Sequence, residues 1–565
     1  MNKPVAIGLQ SFSQIRENNC FFVDKTMFIK DWWESNDAVT LITRPRRFGK
    51  TLNMDMLDCF FSTKYANRSD LFEGLDIWRY EEYRKFQGTY PVIFLSFAKL
   101  KSSNANEMKD DFCKVLSELY KEFMSTIYQS TILTDSEKDD FKNMLYKIDI
   151  ERSSEDAKDA VYILSRILCT HYKKKVIILL DEYDTPLQES WVNEIWDEVV
   201  SFMRLFFNST FKNNKFMYRS VMTGITRVSR ESLFSDLNNL KICSMSSEKY
   251  QNYFGFTEDE VFEAMNEYGY TNKDEVKSWY DGFTIGNAKD IYNPWSIINF
   301  LDEGALKPYW ANTSSNSLVS KLIREGSRKL KMDFEKLLNG ESVYKTVDEE
   351  MVFNQLSENQ NAVWSLLVAS GYLKINSIND GIYELQIVNH EVMLMFRRLI
   401  KEWFGKADDN YSDFISSMLI GDVDEMNEYM NCILKSVISS FDTAQNESDF
   451  LAPERFYHGL VLGLLVELQD RYVVLSNRES GFGRYDVMLV PKNKNADKAF
   501  IIEFKVVNKN RGEKCLEDAL ENALKQIDDK NYKQNLIDIG ICEDQIVNYG
   551  FAFEGKKVLV GKNRV

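Results

Sequence analysis

Four short apolar runs in the first 230 residues constrain the fold of this chain more than any other feature. They are AVTLIT (38–43), YPVIFLSF (90–97), KKVIILLDEYD (174–184) and KFMYRSVMTGITR (215–227). Stretches with helical spacing separate them, and apolar strands that alternate with helices are typical of a parallel sheet with helices on both faces. Ligands of such sheets bind beyond the carboxyl ends of the strands. The sequence therefore predicts an α/β N-terminal domain with a binding crevice at that edge.

The loop after the first run ends like a phosphate-binding loop but does not begin like one. The general pattern is G-x-x-x-x-G-K-[ST], and the stretch RPRRFGKT (44–51) has Arg44 at the first glycine position. We expect the guanidinium groups of Arg44, Arg46 and Arg47 to meet phosphate oxygens directly. The alternative is a basic surface loop that contains G-K-T by chance.

The end of this loop supplies the groups that a nucleotide needs. Lys50 is predicted to reach the β- and γ-phosphates, and Thr51 is predicted to place its hydroxyl on Mg²⁺. The backbone amides from Phe48 through Gly49 to Thr51 lie where a helix begins, and we expect them to face the phosphates.

The third and fourth apolar runs end in polar residues at the same predicted edge. Asp181 is placed to hold Mg²⁺ through water, and Glu182 to polarise the attacking water as a general base. Thr223 is a candidate sensor of the γ-phosphate, and Arg227 a candidate for stabilising developing charge. The alternatives are a strand capped by acids and an ordinary turn after a strand.

A second polar set lies near the C-terminus, in GFGRYDVMLVPKNKNADKAFIIEFKVV (481–507). This stretch predicts a hairpin with Asp486 on one arm, and with Glu503 and Lys505 sharing one face of the other arm. Two carboxylates and a lysine on one surface suit Mg²⁺ or Mn²⁺, which activates a bound water. The alternative is a strand face whose E-x-K residues form a salt bridge.

Helices are predicted on both sides of this hairpin. The helix before it (454–468) places Glu454 and His458 one turn apart, and the helix after it (515–532) presents Gln526 and Tyr532. These four residues are candidate accessory groups. For Glu454 the alternative is an acid that favours a helix N-terminus, and for Gln526 it is a solvated helix face.

Composition excludes several other classes of protein. No run of about 18 apolar residues is present, so no membrane span is predicted. Eight cysteines without regular spacing and three histidines make a zinc site improbable, and a reducing, cytoplasmic setting is expected. The net charge is −16, but residues 451–565 carry 18 basic and 17 acidic residues. The C-terminal part is therefore the part of the chain that repels the phosphates of a nucleic acid least.

Ten motifs in order along the chain resemble one family of bacterial and archaeal proteins, the AAA-ATPase-like proteins with a C-terminal PD-(D/E)XK nuclease-superfamily domain. The motifs are FFVDKT (21–26), LITRPRRFGKTLNMDML (41–57), IILLDEYDTPL (177–187), TGITRVSRESLFSDLNNL (223–240), WYDGF (279–283), YNPWSI (292–297), ASGYL (369–373), ERFYHGLVLGLL (454–465), GRYDVML (483–489) and IIEFKV (501–506).

This resemblance implies that R-P-R-R-F-G-K-[ST] is the family's own phosphate loop. It implies nucleotide and Mg²⁺ roles for Lys50, Thr51, Asp181 and Glu182, and a nuclease triad of Asp486, Glu503 and Lys505. The implied domains are an NTPase domain (1–245), a helical lid-like region (246–335), a helical or winged-helix-like region (336–445) and an α/β nuclease-like domain (446–565).

Two functional hypotheses follow. The first is an ATP-binding, ATP-hydrolysing protein with a Mg²⁺- or Mn²⁺-dependent nuclease that acts on nucleic acid, with DNA as the expected substrate. The second is a nucleotide-gated switch that binds nucleic acid or drives assembly, and whose C-terminal domain does not cleave. A homo-oligomer is compatible with both, with Arg227 or Arg230 as candidates for a residue that acts on a neighbour's nucleotide.

Overall fold

In a computed structural model of the chain, the first sheet has five parallel strands. They are β1 (Val39–Thr43), β2 (Val92–Ser96), β3 (Val176–Asp181), β4 (Met217–Gly224) and β5 (Leu240–Cys243), in the spatial order β2-β3-β4-β1-β5. Every residue of β1 and β3 is buried, because helices cover both faces of the sheet. The four predicted strands are confirmed. The sequence does not predict β5, because four residues carry too little pattern to be told from a loop.

The register brings the predicted polar groups to one edge of this sheet. β4 is the common neighbour of β1 and β3, with Thr43 paired to Gly224 and Leu180 paired to Met222. The loop after β1, the acids at the end of β3 and the residues that end β4 therefore leave the sheet side by side. The predicted crevice at the carboxyl ends is confirmed as an arrangement of the backbone.

Helices connect and cover these strands. In the N-terminal part they are α1 (Phe12–Glu17), α2 (Met27–Glu34), α3 (Lys50–Phe61), α4 (Glu81–Arg84), α5 (Ala105–Tyr128), α6 (Asp135–Asp149), α7 (Ser154–Ala157), α8 (Ala160–Tyr172), α9 (Thr185–Val192) and α10 (Trp196–Phe207). α2 and α3 bury their apolar residues in one core with Ile177 and Leu179 of β3. Successive residues of a strand point to opposite faces of the sheet. α5 contacts β2, and α8 contacts β3.

The middle of the chain contains more strand than the sequence predicts. The region expected to be a helical lid holds α11 (Glu258–Tyr268), α12 (Lys273–Tyr280) and α13 (Pro294–Glu303), together with a small sheet of β6 (Phe256–Thr257), β7 (Phe283–Ile285) and β8 (Ala288–Tyr292). Strands of two to five residues are too short to show a periodic pattern, which is why this region is expected to be helical.

The region expected to be helical or winged-helix-like contains a helix, a hairpin and a second helix. They are α15 (Gln360–Ala369), β10 (Leu373–Asn379), β11 (Ile382–Ile387) and α16 (His390–Phe404). α14 (Arg328–Leu338) precedes them, and β9 (Val343–Lys345) adds a third strand beside β11.

The C-terminal part is built on a second, mixed sheet. Its strands are β12 (Tyr472–Ser476), β15 (Val487–Pro491), β16 (Ala499–Val506), β17 (Ile546–Glu554) and β18 (Lys557–Lys562), in that spatial order; β13 (Glu479–Ser480) and β14 (Gly483–Arg484) pair separately. Its helices are α17 (Tyr411–Ile420), α18 (Val423–Ile438), α19 (Leu516–Asp529) and α20 (Lys533–Asp538). β15 and β16 form the predicted antiparallel hairpin, and α19 packs on β16 and β17.

Two asparagines of α18 cover the open edge of this sheet. The Asn427 amide donates to the carbonyl of Val560 and accepts from its N–H, at 2.8 and 2.7 Å, and Asn431 makes the same pair of bonds with Val558. The two asparagines lie one helical turn apart and match alternate residues of β18. The edge strand thus has its backbone groups satisfied by side chains, which prevents pairing with another strand.

The chain divides into two compact units, residues 1–395 and 396–565. The structure describes residues 3–212, 214–227, 233–234, 237–311, 319, 322–323, 328–338, 340–348, 360–404, 411–438, 461, 465, 468, 471–476, 479–480, 483–484, 486–494, 496–508, 513–555 and 557–563. Among the helices of these ranges, none combines the length and the apolar character needed to cross a membrane. The boundaries of the four domains given by the sequence stay predictions.

Candidate nucleotide and nuclease sites

The loop between β1 and α3 folds back over the ammonium group of Lys50. Two residues of the loop, Arg47 and Gly49, have left-handed backbones with φ of 65° and 78°. They turn the chain so that Lys50 Nζ donates to the carbonyls of Arg44 and Pro45 at 2.9 and 2.7 Å. Burial lowers the pKa of Lys50. The loop therefore holds a buried cation at the start of a helix, where phosphate binds most readily.

Two hydroxyls converge on the carboxylate that ends β3. Thr51 Oγ1 donates to Asp181 Oδ2 at 2.6 Å, and Thr223 Oγ1 donates to the other oxygen, Oδ1. Burial raises the pKa of Asp181, which is 1% exposed. The two oxygens that the sequence assigns to Mg²⁺, from Thr51 and Asp181, are thus adjacent. Hard oxygen donors in contact fit a magnesium ion held partly by nucleotide phosphate.

The residues after Asp181 shape the wall of the site. Glu182 has a left-handed backbone, with φ of 53°, and its carboxylate accepts from Thr185 Oγ1 at 3.2 Å. Asp184, which the sequence does not single out, is 1% exposed and accepts from the N–H groups of Ile225 and Thr226 at 3.0 and 2.8 Å. Asp184 therefore fixes the turn after β4 against the end of β3.

A cavity of about 390 Å³ lies against the loop, within the usual range for small-molecule sites. The predicted residues that line it are Arg46, Arg47, Phe48, Gly49, Lys50, Thr51 and Glu182. Its other walls come from the N-terminal segment (5–10), from residues 21–25, and from Pro294, Trp295 and Ile298 of α13. Asp181, Thr223 and Arg227 lie outside this lining, the first two behind Thr51 and the third beyond the end of β4.

The Arg44 side chain, which the sequence assigns to phosphate, points away from the cavity. Arg44 is fully buried, and its Nη1 donates to the carbonyls of Thr43, Cys243 and Ser244 at 2.8 to 3.0 Å. Burial lowers the pKa of Arg44 to about 10. The side chain points into the sheet because the carbonyls that end β1 and β5 have no further strand residue to pair with. Only the carbonyl of Arg44 contributes to the loop.

Three motifs far along the chain pack against the back of the loop. Phe283 of WYDGF stacks edge-on against Phe48, with ring centres 4.8 Å apart. Asn293 of YNPWSI donates to the carbonyl of Arg46 at 3.3 Å. Gly371 of ASGYL lies so close to Pro45 that a Cβ there would come within 2.7 Å of the proline ring. The sequence shows these motifs but not these contacts, because each contact spans more than 200 residues.

In the second unit, the predicted triad is assembled on the hairpin. Val487 pairs with Ile502, so Asp486 lies opposite Glu503 at the next position of the ladder. Asp486 Oδ2 accepts from the N–H of Phe504 at 2.8 Å, and Lys505 Nζ donates to Glu503 Oε1 at 3.0 Å. Glu503 is 1% exposed. Two facing carboxylates beside an ammonium group fit a divalent cation bound through oxygen.

The accessory residues divide into two pairs. Gln526 on α19 donates to Glu503 Oε1, and its amide lies 3.5 Å from the hydroxyl of Tyr532. The structure thus brings this pair to the triad. Glu454 and His458, the other pair, lie outside the described residues.

Two family models match this chain. Residues 6–234 match the model described as a predicted AAA-ATPase, and residues 452–563 match the PD-(D/E)XK nuclease superfamily. Over 328 residues the chain is 27% identical to an uncharacterised protein in the vnfD 5′ region of Azotobacter chroococcum mcd 1. That alignment covers 57% of this chain and 56% of the relative, so the chain spans about half the length of the curated relative it matches.

Proposed function

We propose that this chain, which joins an AAA-ATPase-like domain to a PD-(D/E)XK nuclease-superfamily domain, hydrolyses ATP and cleaves phosphodiester bonds of nucleic acid. The observation that carries the proposal is that each domain holds a complete set of polar groups in contact with one another. Thr51 bonds to Asp181 in the first domain, and in the second Glu503 faces Asp486 across the hairpin and accepts from both Lys505 and Gln526.

At the first site, each residue has a distinct task. Lys50 exchanges its two carbonyl acceptors for phosphate oxygens of ATP, and the backbone amides at the start of α3 bind the same phosphates. Thr51 and Asp181 would hold Mg²⁺, which neutralises charge on the phosphates. Glu182 lines the cavity and orients the attacking water. Thr223 fixes the carboxylate of Asp181, so its role is to position that group.

At the second site, Asp486 and Glu503 would hold Mg²⁺ or Mn²⁺, which lowers the pKa of a bound water. Lys505 orients that water or neutralises charge on the phosphate. Gln526 positions Glu503, to which it donates a hydrogen bond. The near balance of charge in residues 451–565 supports an approach by a polyanion.

DNA as the substrate, a homo-oligomeric assembly and a cytoplasmic location complete the proposal. All eight cysteines are free thiols, which supports a reducing compartment. Arg227, just beyond the end of β4, is the described candidate for a residue that acts on a neighbouring subunit's nucleotide.

The deciding experiment incubates the purified chain with Mg²⁺ or Mn²⁺ on single- and double-stranded DNA and RNA, with and without ATP. We expect metal-dependent cleavage, which Lys505→Ala reduces by about 100-fold or more, and phosphate release from ATP, which Lys50→Ala abolishes. Lys498→Ala, a lysine just before β16 and outside the triad, is the matched control and should leave cleavage unchanged.

The nucleotide-gated switch predicts a different outcome. In that case the wild type binds nucleic acid in an ATP-dependent way but no metal promotes cleavage, and Glu503→Ala changes nothing. Such a result would replace the nuclease half of the proposal and leave the ATPase half intact.

A further inference from the structure

The guanidinium of Arg47 lies over an aromatic ring at the nucleotide cavity. The guanidinium carbon is 4.2 Å from the ring centre of Trp295, and both residues line the cavity. Arg47 is exposed and has the left-handed backbone described above. Non-glycine residues adopt that conformation at a cost, and such strained positions cluster at functional sites.

A second contact fixes Trp295 to the same loop. Asn293 begins α13: its Oδ1 accepts from the N–H groups of Trp295 and Ser296 at 2.9 and 3.4 Å. The amide of the same side chain donates to the carbonyl of Arg46. One buried asparagine thus joins the start of α13 to the residue before Arg47, which sets the distance between the indole and the guanidinium.

Stacking leaves the hydrogen-bonding capacity of an arginine intact. The five N–H donors lie in the plane of the guanidinium, so a ring that covers its face does not block them. A long exposed side chain otherwise loses rotamer freedom when it binds phosphate, and prior stacking reduces that loss. We propose that Trp295 is a positioning residue for the nucleotide: it holds Arg47 in the orientation that binds a phosphate group.

This inference rests on the proposed ATP site, and it adds to that site a residue from α13, outside residues 6–234 that match the AAA-ATPase model. It assigns to YNPWSI a role in phosphate binding through Arg47. The ligand is a nucleoside polyphosphate. The affinity for adenosine, which carries no phosphate, should not change when Trp295 is replaced.

A double-mutant cycle, read by calorimetric titration of the full chain with ATP, tests the inference. We expect Trp295→Leu to weaken ATP binding about 3- to 10-fold, from the usual strength of a cation–π contact, and Trp295→Phe to restore most of it. In an Arg47→Gln background, Trp295→Leu should have no further effect, because the indole then has no cation to position.

The controls separate the inference from the function on which it rests. An arginine also lies over the ring of Trp78: the guanidinium carbon of Arg84 is 5.4 Å from the ring centre. Neither of these two residues lines the cavity. Trp78→Leu should leave ATP affinity within about 2-fold of wild type. A wild type that binds no ATP would overturn the proposed ATPase. If the wild type binds ATP, the positioning role alone would be overturned by a Trp295→Leu effect that is absent or reversed in sign. An effect that is equally large in the Arg47→Gln background would overturn it as well.

Discussion

Arg44 occupies a glycine position of the general phosphate-loop pattern without needing the backbone freedom of glycine. The left-handed turns of the loop fall at Arg47 and Gly49, and Arg44 is not among the described residues with positive φ. Its side chain instead ties the end of β1 to the end of β5 through three carbonyls. In the structure, the Arg44 side chain therefore links the ends of two strands beneath the loop.

Arg44→Gly should consequently weaken nucleotide binding rather than improve it. The change removes three hydrogen bonds from a charged donor and leaves a cavity, which we expect to lower the stability of the N-terminal unit by about 2–4 kcal/mol. Chemical denaturation measures the stability, and ATP titration measures the binding. Arg44→Lys retains the charge on a shorter side chain that reaches fewer of the carbonyls bound by Nη1, so it should fall between wild type and Arg44→Gly. Tighter ATP binding by Arg44→Gly would contradict this role.

At the scale of the element, the sequence predicts best where one segment carries its own pattern. The strands β1 to β4 and the hairpin of β15 and β16 are visible as apolar runs bounded by turns. The spacing along that hairpin is enough to place Asp486 opposite Glu503, because the two residues lie at similar distances from the middle of the connection between the arms.

Contacts between distant segments are the part that sequence patterns do not show. No local pattern indicates that the side chain of Arg44 turns inward to β5, or that Gly371 lies against Pro45. Both depend on how elements more than 190 residues apart pack together. The same holds for α13, whose helical pattern is clear but whose position beside the loop is not.

Gly371→Ala should lower the affinity for ATP by displacing residues that support the phosphate loop. Gly371 has φ of 80°, and a Cβ there would meet Pro45 Cγ at 2.7 Å and Phe283 Cε1 at 2.9 Å. Since these atoms belong to closely packed rings that support the loop, we expect the loop to shift and ATP affinity to fall by about 10-fold, the equivalent of 1.4 kcal/mol. ATP titration of the variant measures the change.

Gly381→Ala is the matched control for that change. Gly381 has φ of 76° in the turn between β10 and β11, and nothing lies within 4 Å of a Cβ built there. It should lose about 1 kcal/mol of stability from the backbone alone and leave ATP affinity unchanged. Equal losses of ATP affinity in both variants would show that backbone strain, and not contact with the loop, is responsible.

At the scale of the whole molecule, each unit has, among the described residues, a buried cluster of its own and its own candidate ligand. One buried cluster joins β1, β3 and β4 to the helices around the loop, and another joins the second sheet to α17 and α18. The polar residues assigned to ATP all lie before residue 395, and the described triad lies after 396. Each ligand should therefore stabilise one unit against unfolding.

Thermal unfolding of the full chain tests this division. We expect two transitions, because units with separate cores unfold separately. ATP with Mg²⁺ at about 100 times its dissociation constant adds about 2.7 kcal/mol to the folded N-terminal unit, which for a unit of this size raises its midpoint by about 3 °C. Mn²⁺ without nucleotide should raise the other transition.

Two variants identify which transition belongs to which site. Lys50→Ala should abolish the ATP-dependent shift and leave the Mn²⁺-dependent shift in place, because Lys50 lies in the first unit and the carboxylates assigned to Mn²⁺ lie in the second. Asp486→Asn should do the reverse, since it removes a carboxylate charge from the second unit without touching the nucleotide cavity. One contrary result is that ATP raises both transition temperatures equally, and another is that Lys50→Ala removes both shifts. Either result would show that the two sites are thermodynamically coupled, and that the separate assignment of ATP and metal to the two units is wrong.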